Sequence, residues 1–442
     1  MITGKYNYLL NFRNLLGVLL FCCGLFFWSI SCAENGDNSN SNSFEADKFK
    51  FIENFGDLPI REFRIRGLSR TSSSVVKKQI NVSLGENISR FDPDLFTNNS
   101  EIRRLFSDIQ ISYSAENDMA VIEIMLHEKW TLIPFPLFIR NSNKVMVGLY
   151  VMESNFLGLG KTLYGGANYS NHGWSTLGGY LDSAFMSSDF KINLFGKYSM
   201  EEYEDADESG KTEREYKAQS RIFRAGIGHP VIKNMDIYLF GAYSSQVPDE
   251  SYSKNINLPD AQKEWIASTR FDFKNLKYKE YLSYGITLRL DIARHLAVSD
   301  NYHNYNSLEF KSGYSCILYK NKLELLFNGY YGDPPDILSK RVGGRSGYYT
   351  LPADITVSKR NLSGTVSVER PLVEISWGAV TAKLFWEQGV YGAESNLSRF
   401  YGPGGGFFFY LKRIAIPALG FNYARNLGTE NSEFSVSAGA NF

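Results

Sequence analysis

From Thr131 to Phe442 the chain is one pattern repeated: short runs in which every second side chain is apolar, broken by turn residues. Phe190, Ile192 and Leu194 interleave with Lys191 and Asn193, and Phe271 and Phe273 with Arg270, Asp272 and Lys274. Ile286, Leu288, Leu290 and Ile292 alternate in the same way with Thr287, Arg289 and Asp291. A period of two belongs to the β-strand, whose successive side chains leave opposite faces. In a soluble sandwich the apolar face would meet a second sheet. Here the other face carries lysines, arginines and carboxylates in run after run, as a watery lumen requires. The pattern predicts a mainly β chain closed into an antiparallel transmembrane β-barrel. Composition agrees: aromatics are 15%, with 28 Tyr, 32 Phe and 38 Gly, and the mean hydropathy of −0.25 is too polar for a helical membrane protein. Lysine plus arginine (47) equals aspartate plus glutamate (47), which excludes an electrostatic nucleic-acid binder.

Counting the runs tests closure. Strands are expected to begin near Thr131, Val145, Lys161, Ser175, Asp189, Lys217, Met235, Glu264, Glu280, Asn306, Lys322, Arg360, Ser376, Gly402, Ile414 and Ser432, sixteen in all. An even number closes an antiparallel barrel with both ends on one side. Tight turns such as Ile232-Lys233-Asn234 and Tyr319-Lys320-Asn321 alternate with longer connections. One of these, Glu201 to Glu208, holds six acids in eight residues. It is expected to be a solvated extracellular loop, since nothing rigid places its carboxylates around a metal.

The chain begins differently. Lys5 and Arg13 precede an uncharged apolar run from Leu15 to Ile30, and Ser31-Cys32-Ala33 offers small residues for cleavage before Glu34. Residues 1–33 are therefore expected to be a signal peptide; the competing readings are an uncleaved anchor helix and a lipid-modified Cys32. Cys22, Cys23 and Cys32 leave with it, so Cys316 would remain without a disulfide partner. Residues 34–58, opening with the Asn/Ser-rich stretch 35–43, are expected to be a disordered linker. Residues 59–128 then read as a small α+β module. Ile60 to Arg66 forms a strand closed by Gly67, helices run from Ser72 to Val82 and from Pro93 to Leu105, and strands Ile109–Tyr113 and Val121–Leu126 flank the turn Glu116-Asn117-Asp118.

Strand, helix, helix, strand, strand in this spacing resembles a polypeptide-transport-associated (POTRA) domain. Together with the barrel at 129–442 it resembles the BamA/TamA superfamily of outer-membrane insertases and translocators. Four motifs carry that likeness. Glu153-Ser154-Asn155-Phe156-Leu157-Gly158-Leu159-Gly160 resembles the turn after the family's second strand, and Gly343-Gly344-Arg345-Ser346-Gly347-Tyr348 its sixth loop. Glu369-Arg370 and Phe385-Trp386-Glu387-Gln388-Gly389 resemble two later strands, with Ser346 splitting the loop's Arg-Gly step and Glu387 standing where the family has Asp. The resemblance implies that Arg345, with Gly347 and Tyr348, folds inward to pair with Glu369 and Glu387 as a loop lock; Arg341 competes for that role. Alternation independently puts Ser363, Thr365, Ser367 and Glu369 on the lumen side.

Pro134 and Pro136 lie two apart in the first strand, so their missing N–H groups fall on the same side. Facing the last strand, which ends at Phe442, they would leave a lateral gate for client strands. The competing reading leaves both prolines in the segment leading into the barrel. The resemblance further implies a monomeric barrel in the outer membrane, its POTRA domain in the periplasm meeting client polypeptides or a partner. Two alternatives stay open, a lipid-handling or anchoring barrel of the same superfamily and a passive porin. No enzyme is expected, and no metal or cofactor. Gly158-Leu159-Gly160-Lys161-Thr162 lacks the first glycine of a phosphate loop, and His127, His172, His229, His295 and His303 show no ligand spacing.

Overall fold

The computed structural model describes residues 42–140, 145–206, 212–279, 281–299, 302–344, 346–352, 357–376, 378–392, 397–411 and 419–438. Residues 1–33, expected to be a signal peptide, and Arg345 and Phe442 lie outside them.

The disordered linker expected over 34–58 is corrected from residue 42 onward, where α1 (Asn42–Phe55) forms. Phe51 and Phe55 meet one turn apart at 5.1 Å, and Lys48 pairs with Glu45 at 2.8 Å. Gly56, at φ +81°, closes the helix with its N–H on the Ile52 carbonyl. The aromatic spacing beyond the Asn/Ser stretch is what sustains this helix.

Residues 57–128 form the α+β module. β1 (Ile60–Arg66) runs parallel to β3 (Met119–Glu128), which pairs antiparallel with β2 (Phe106–Glu116), giving the order β1-β3-β2. Asn117 and Asp118, both at positive φ, make the tight β2–β3 hairpin. The helices are shorter than the sequence predicts. α2 (Ser73–Lys77) ends early, and the second helix breaks into α3 (Pro93–Thr97) and α4 (Ser100–Leu105) because Asn99 caps a new start, accepting from the Glu101 and Ile102 amides. Ile60, Phe91, Phe96, Ile102, Leu105, Ile122 and Ile124 are buried between helices and sheet.

The barrel strands follow in chain order: β4 (Leu132–Arg140), β5 (Val145–Phe156), β6 (Lys161–Ser170), β7 (Gly173–Asp182), β8 (Lys191–Ala206), β9 (Thr212–Ile232), β10 (Met235–Pro248) and β11 (Gln262–Lys279). They continue as β12 (Leu282–Ala297), β13 (Tyr305–Leu318), β14 (Asn321–Gly332), the short pair β15 (Lys340–Arg341) and β16 (Val357–Ser358), then β17 (Arg360–Ile375), β18 (Gly378–Gly392), β19 (Leu397–Leu411), β20 (Leu419–Arg425) and β21 (Ser432–Ala438). Leaving out the β15–β16 hairpin, sixteen strands form one sheet ordered as in the chain, its end strands β4 and β21 brought side by side. The wall inverts a soluble protein. Along β17, Asn361, Ser363, Thr365, Ser367 and Glu369 are buried while Val366 and Val368 are exposed; along β18, Thr381, Lys383 and Glu387 are buried while Leu384 and Trp386 are exposed. Apolar side chains outside and polar ones inside make this a transmembrane barrel. The acidic stretch expected as a loop corrects to strand over 201–206. Its inward residues Glu201, Tyr203 and Asp205 have partners in the bore, which a solvated loop would not supply.

Candidate functional site

The β14–β17 connection turns into the bore and crosses it as a strap. On one side Val342, Tyr348 and Leu351 pack against Phe400, and Tyr349 against Phe385 and Ala424. The Tyr348 hydroxyl donates to Asn361 Oδ1 at 2.6 Å. Glu387, fully buried, receives the Thr350 amide at 3.0 Å and the hydroxyls of Thr350 and Thr365 at 3.2 and 3.4 Å. Gly347, at φ +87°, leaves no space for a side chain, because a Cβ there would run into Asn328 and Ser363. On the other side Arg341 forms an ion pair with Asp205 of β8 and lies 4.5 Å over the Tyr203 ring. Arg214 and Lys359 both reach Asp336 at 3.2 Å, and Ile337 packs on Tyr216 and Ala218 of β9.

Of the residues expected to form the lock, the structure brings Gly347, Tyr348 and Glu387 together. Glu369 stands apart. Register places it opposite Lys383, four positions along the sheet from the Thr365–Glu387 row, or about 13 Å. Its carboxylate takes hydrogen bonds from Thr381 and, at 2.8 Å, from Tyr410. Glu369 turns to its own wall, while Arg345, expected to pair with both carboxylates, lies outside the described residues. Arg341, which precedes the glycines, is the strap's arginine among the described residues, half-buried against the wall.

The β5–β6 turn joins the barrel to the α+β module. Leu157, Gly158 and Gly160 all have positive φ, and the Asn155 amide group bridges, donating to Thr71 Oγ1 at 2.8 Å and accepting from the Gly160 N–H at 2.9 Å. The Ser72 N–H reaches the Gly158 carbonyl at 2.8 Å, and Arg104 of α4 reaches the Gly160 carbonyl at 2.7 Å and also the Ser154 carbonyl. A Cβ on Gly158 would collide with the Arg70 carbonyl, so this glycine is a requirement of docking. Beside the turn, Glu128 accepts from the Thr71 N–H and Ser69 hydroxyl, each at 2.7 Å, and the Arg70 N–H at 3.0 Å. Burial pushes its carboxyl up, but these hydrogen bonds outweigh that and hold it below the ordinary value. Burial, with Arg103 adding repulsion, lowers the Lys129 ammonium to about 8.

At the seam, hydrogen-bond phase decides where the prolines face. β4 pairs with β5 along its whole length, Pro134 opposite Val151 and Pro136 opposite Leu149, so the reading that left both in the approach segment is corrected. The Ser154 N–H donates to the Thr131 carbonyl, in the same register as Leu132 opposite Glu153. Odd-numbered residues of β4 thus bond toward β5. On the far side of β5, Asn171 donates to Val145, which keeps the same phase. Even-numbered Pro134 and Pro136 consequently turn their donorless nitrogens toward β21.

Sequence reasoning also missed a polar trio in the bore. His295 Nε2 lies 3.0 Å from Ser307 Oγ, and Nδ1 lies 3.2 Å from Glu264 Oε2. This is the connectivity of an activated serine. Yet His295 stacks on Tyr305 at 4.1 Å, and Ser307 stands in continuous ladders that engage the strand amides an oxyanion would need. The trio clamps β11, β12 and β13.

No family model and no curated relative matches the chain by sequence. Solved structures do. BamA from Haemophilus ducreyi lacking POTRA domains 1–3 aligns with a TM-score of 0.54 at 14% identity, over 86% of this chain and 84% of that one. CdiB from Escherichia coli aligns at 0.61 and 12% identity, over 86% and 76%. CdiB from Acinetobacter baumannii aligns at 0.56 and 14%, over 87% and 76%. The chain shares the barrel fold of these BamA and CdiB structures. In this barrel Glu369 and Glu387 fall on the twelfth and thirteenth strands, β17 and β18, as the sequence count expects.

Proposed function

We propose that this protein assists insertion or translocation of polypeptides at the bacterial outer membrane. In this reading residues 1–33 are a signal peptide, 59–128 a single POTRA domain in the periplasm, and 129–442 a monomeric barrel. The observation that carries it is the seam: two neighbouring positions of β4 offer β21 no donor. A passive barrel gains nothing from a weakened closure, whereas a client strand needs a free edge to pair with. The strap supports the same reading, because a bore crossed by buried contacts is a poor open channel. Arg345, two residues before Gly347, then answers the buried Glu387 as the lock, an arrangement that suits the guanidinium fork.

The test is depletion of the protein followed by a census of outer-membrane proteins and lipids. A fall in a subset of barrel or secreted proteins, with lipids unchanged, is expected. Altered lipids with an unchanged protein census would instead make it a lipid-handling barrel.

A further inference from the structure

The outer surface of β9–β13, well away from the seam, holds an arginine where lipid should be. Along β12 the outward residues Leu288, Ile292, Arg294 and Leu296 are all exposed, so Arg294 interrupts an apolar row. In register across the sheet its neighbours are small: Ala267 beside it, then Gly241, then Ala225. A Cβ added at Gly241 would meet open space. The result is a shallow depression of about 370 Å³ lined by Leu239, Ala267, Thr269, Ile292, Arg294 and Asn306. Asn306 accepts from Arg294 Nη1 at 3.2 Å, one donation from a group with five donors.

The next outward row toward the rim remote from the α+β module is aromatic. Trp265 opposes Leu296 and packs on Tyr243 at 5.1 Å, with Phe223 opposite Tyr243. One row further, exposed Arg221 and Lys263 flank Ser245 in register. Tyr and Trp mark the level of headgroups, and acyl chains lie below them. An arginine on the chain side of that belt is unfavourable unless an anion meets it, and Arg takes phosphate bidentately.

We propose that this face binds a phosphorylated, multiply acylated lipid. Arg294, with Lys263 and Arg221 above the aromatic row, takes the phosphates, and the depression over Ala267 and Ile292 takes an acyl chain. The leaflet rests on the proposed orientation, with the α+β module periplasmic and this rim outside; the site itself does not.

Purified full-length protein is loaded with diphosphorylated lipid A, washed in detergent, and its retained lipid read by native mass spectrometry. Parallel arms use phosphatidylethanolamine and excess inorganic phosphate. Wild type is expected to retain lipid A at least 10-fold more than Arg294→Gln, with Arg294→Lys intermediate. Ala267→Leu, which fills the depression and leaves every charge in place, is expected to lower retention too. Equal retention by Arg294→Gln, equal retention of phosphatidylethanolamine, or full displacement by inorganic phosphate would each overturn the site. None of these readouts depends on client assembly, so failure here is separable from failure of the insertase reading.

Discussion

Glu387 and Asp205 are carboxylates that hold the strap from opposite walls, and Glu309 of β13 adds a pair with Lys340. Replacing Glu387 by Ala leaves the Thr350 amide and two threonine hydroxyls without their acceptor in a buried setting, at about 1–3 kcal/mol for each group left unmade. The expected outcome is a lower midpoint for heat-induced mobility change in gels and faster proteolysis within 336–352, with strand content unchanged. Arg341→Met leaves Asp205 only Arg214, 3.9 Å away, and is expected to cost less than the ~3–5 kcal/mol of a fully stranded buried charge, while the double variant Arg341→Met with Asp205→Leu recovers most of that loss. Equal stability of the single and double variants would show that the pair is not coupled. Glu387 was legible in the sequence because strand alternation alone turns it inward. The importance of Arg341 was not, because its partner lies 136 residues away on β8, and no local pattern connects them.

Among the elements, the β5–β6 turn matters most, since it lets the α+β module report on the barrel wall. Gly158→Ala combines a positive φ, costing ~1–2 kcal/mol, with a collision at the Arg70 carbonyl. It is expected to loosen the module, read as faster hydrogen exchange over Ser69–Ser72, while the barrel stays folded. Glu128 gives the same junction a pH dependence. Its folded-state carboxyl sits below the ordinary value, so its contribution is complete above that value and is lost as pH falls through the folded one. Glu128→Gln should therefore lower the module's thermal midpoint at neutral pH, and the gap to wild type should close on acidification. Lys129 works in the same sense in a higher window: its lowered ammonium makes the junction gain stability as pH rises from about 8 toward the ordinary lysine range. The Gly-x-Gly step of this turn was visible in the sequence, but its docking partner was not. The helices were over-read because Asn99 competes with the backbone as a cap, a choice that apolar spacing does not register.

At the scale of the whole molecule, closure is the question. Sixteen strands and their inside–outside sense were written in the alternation, since period two and turn residues specify them directly. The direction of the two proline nitrogens was not, because alternation tells which face a side chain takes and nothing about which neighbour an N–H meets. Restoring both donors, with Pro134→Ala and Pro136→Ala together, is expected to strengthen the seam by ~1 kcal/mol per ladder bond and to slow client assembly. The most direct measurement is a disulfide across that seam. In a Cys316→Ala background, paired cysteines are placed in β4 and β21, oxidised in cells that lack any other copy, and outer-membrane protein assembly is followed. An opening seam predicts that the crosslink stops assembly, that reduction restores it, and that a like pair across β10 and β11 has no effect. Undiminished assembly with the seam fully crosslinked would contradict the account.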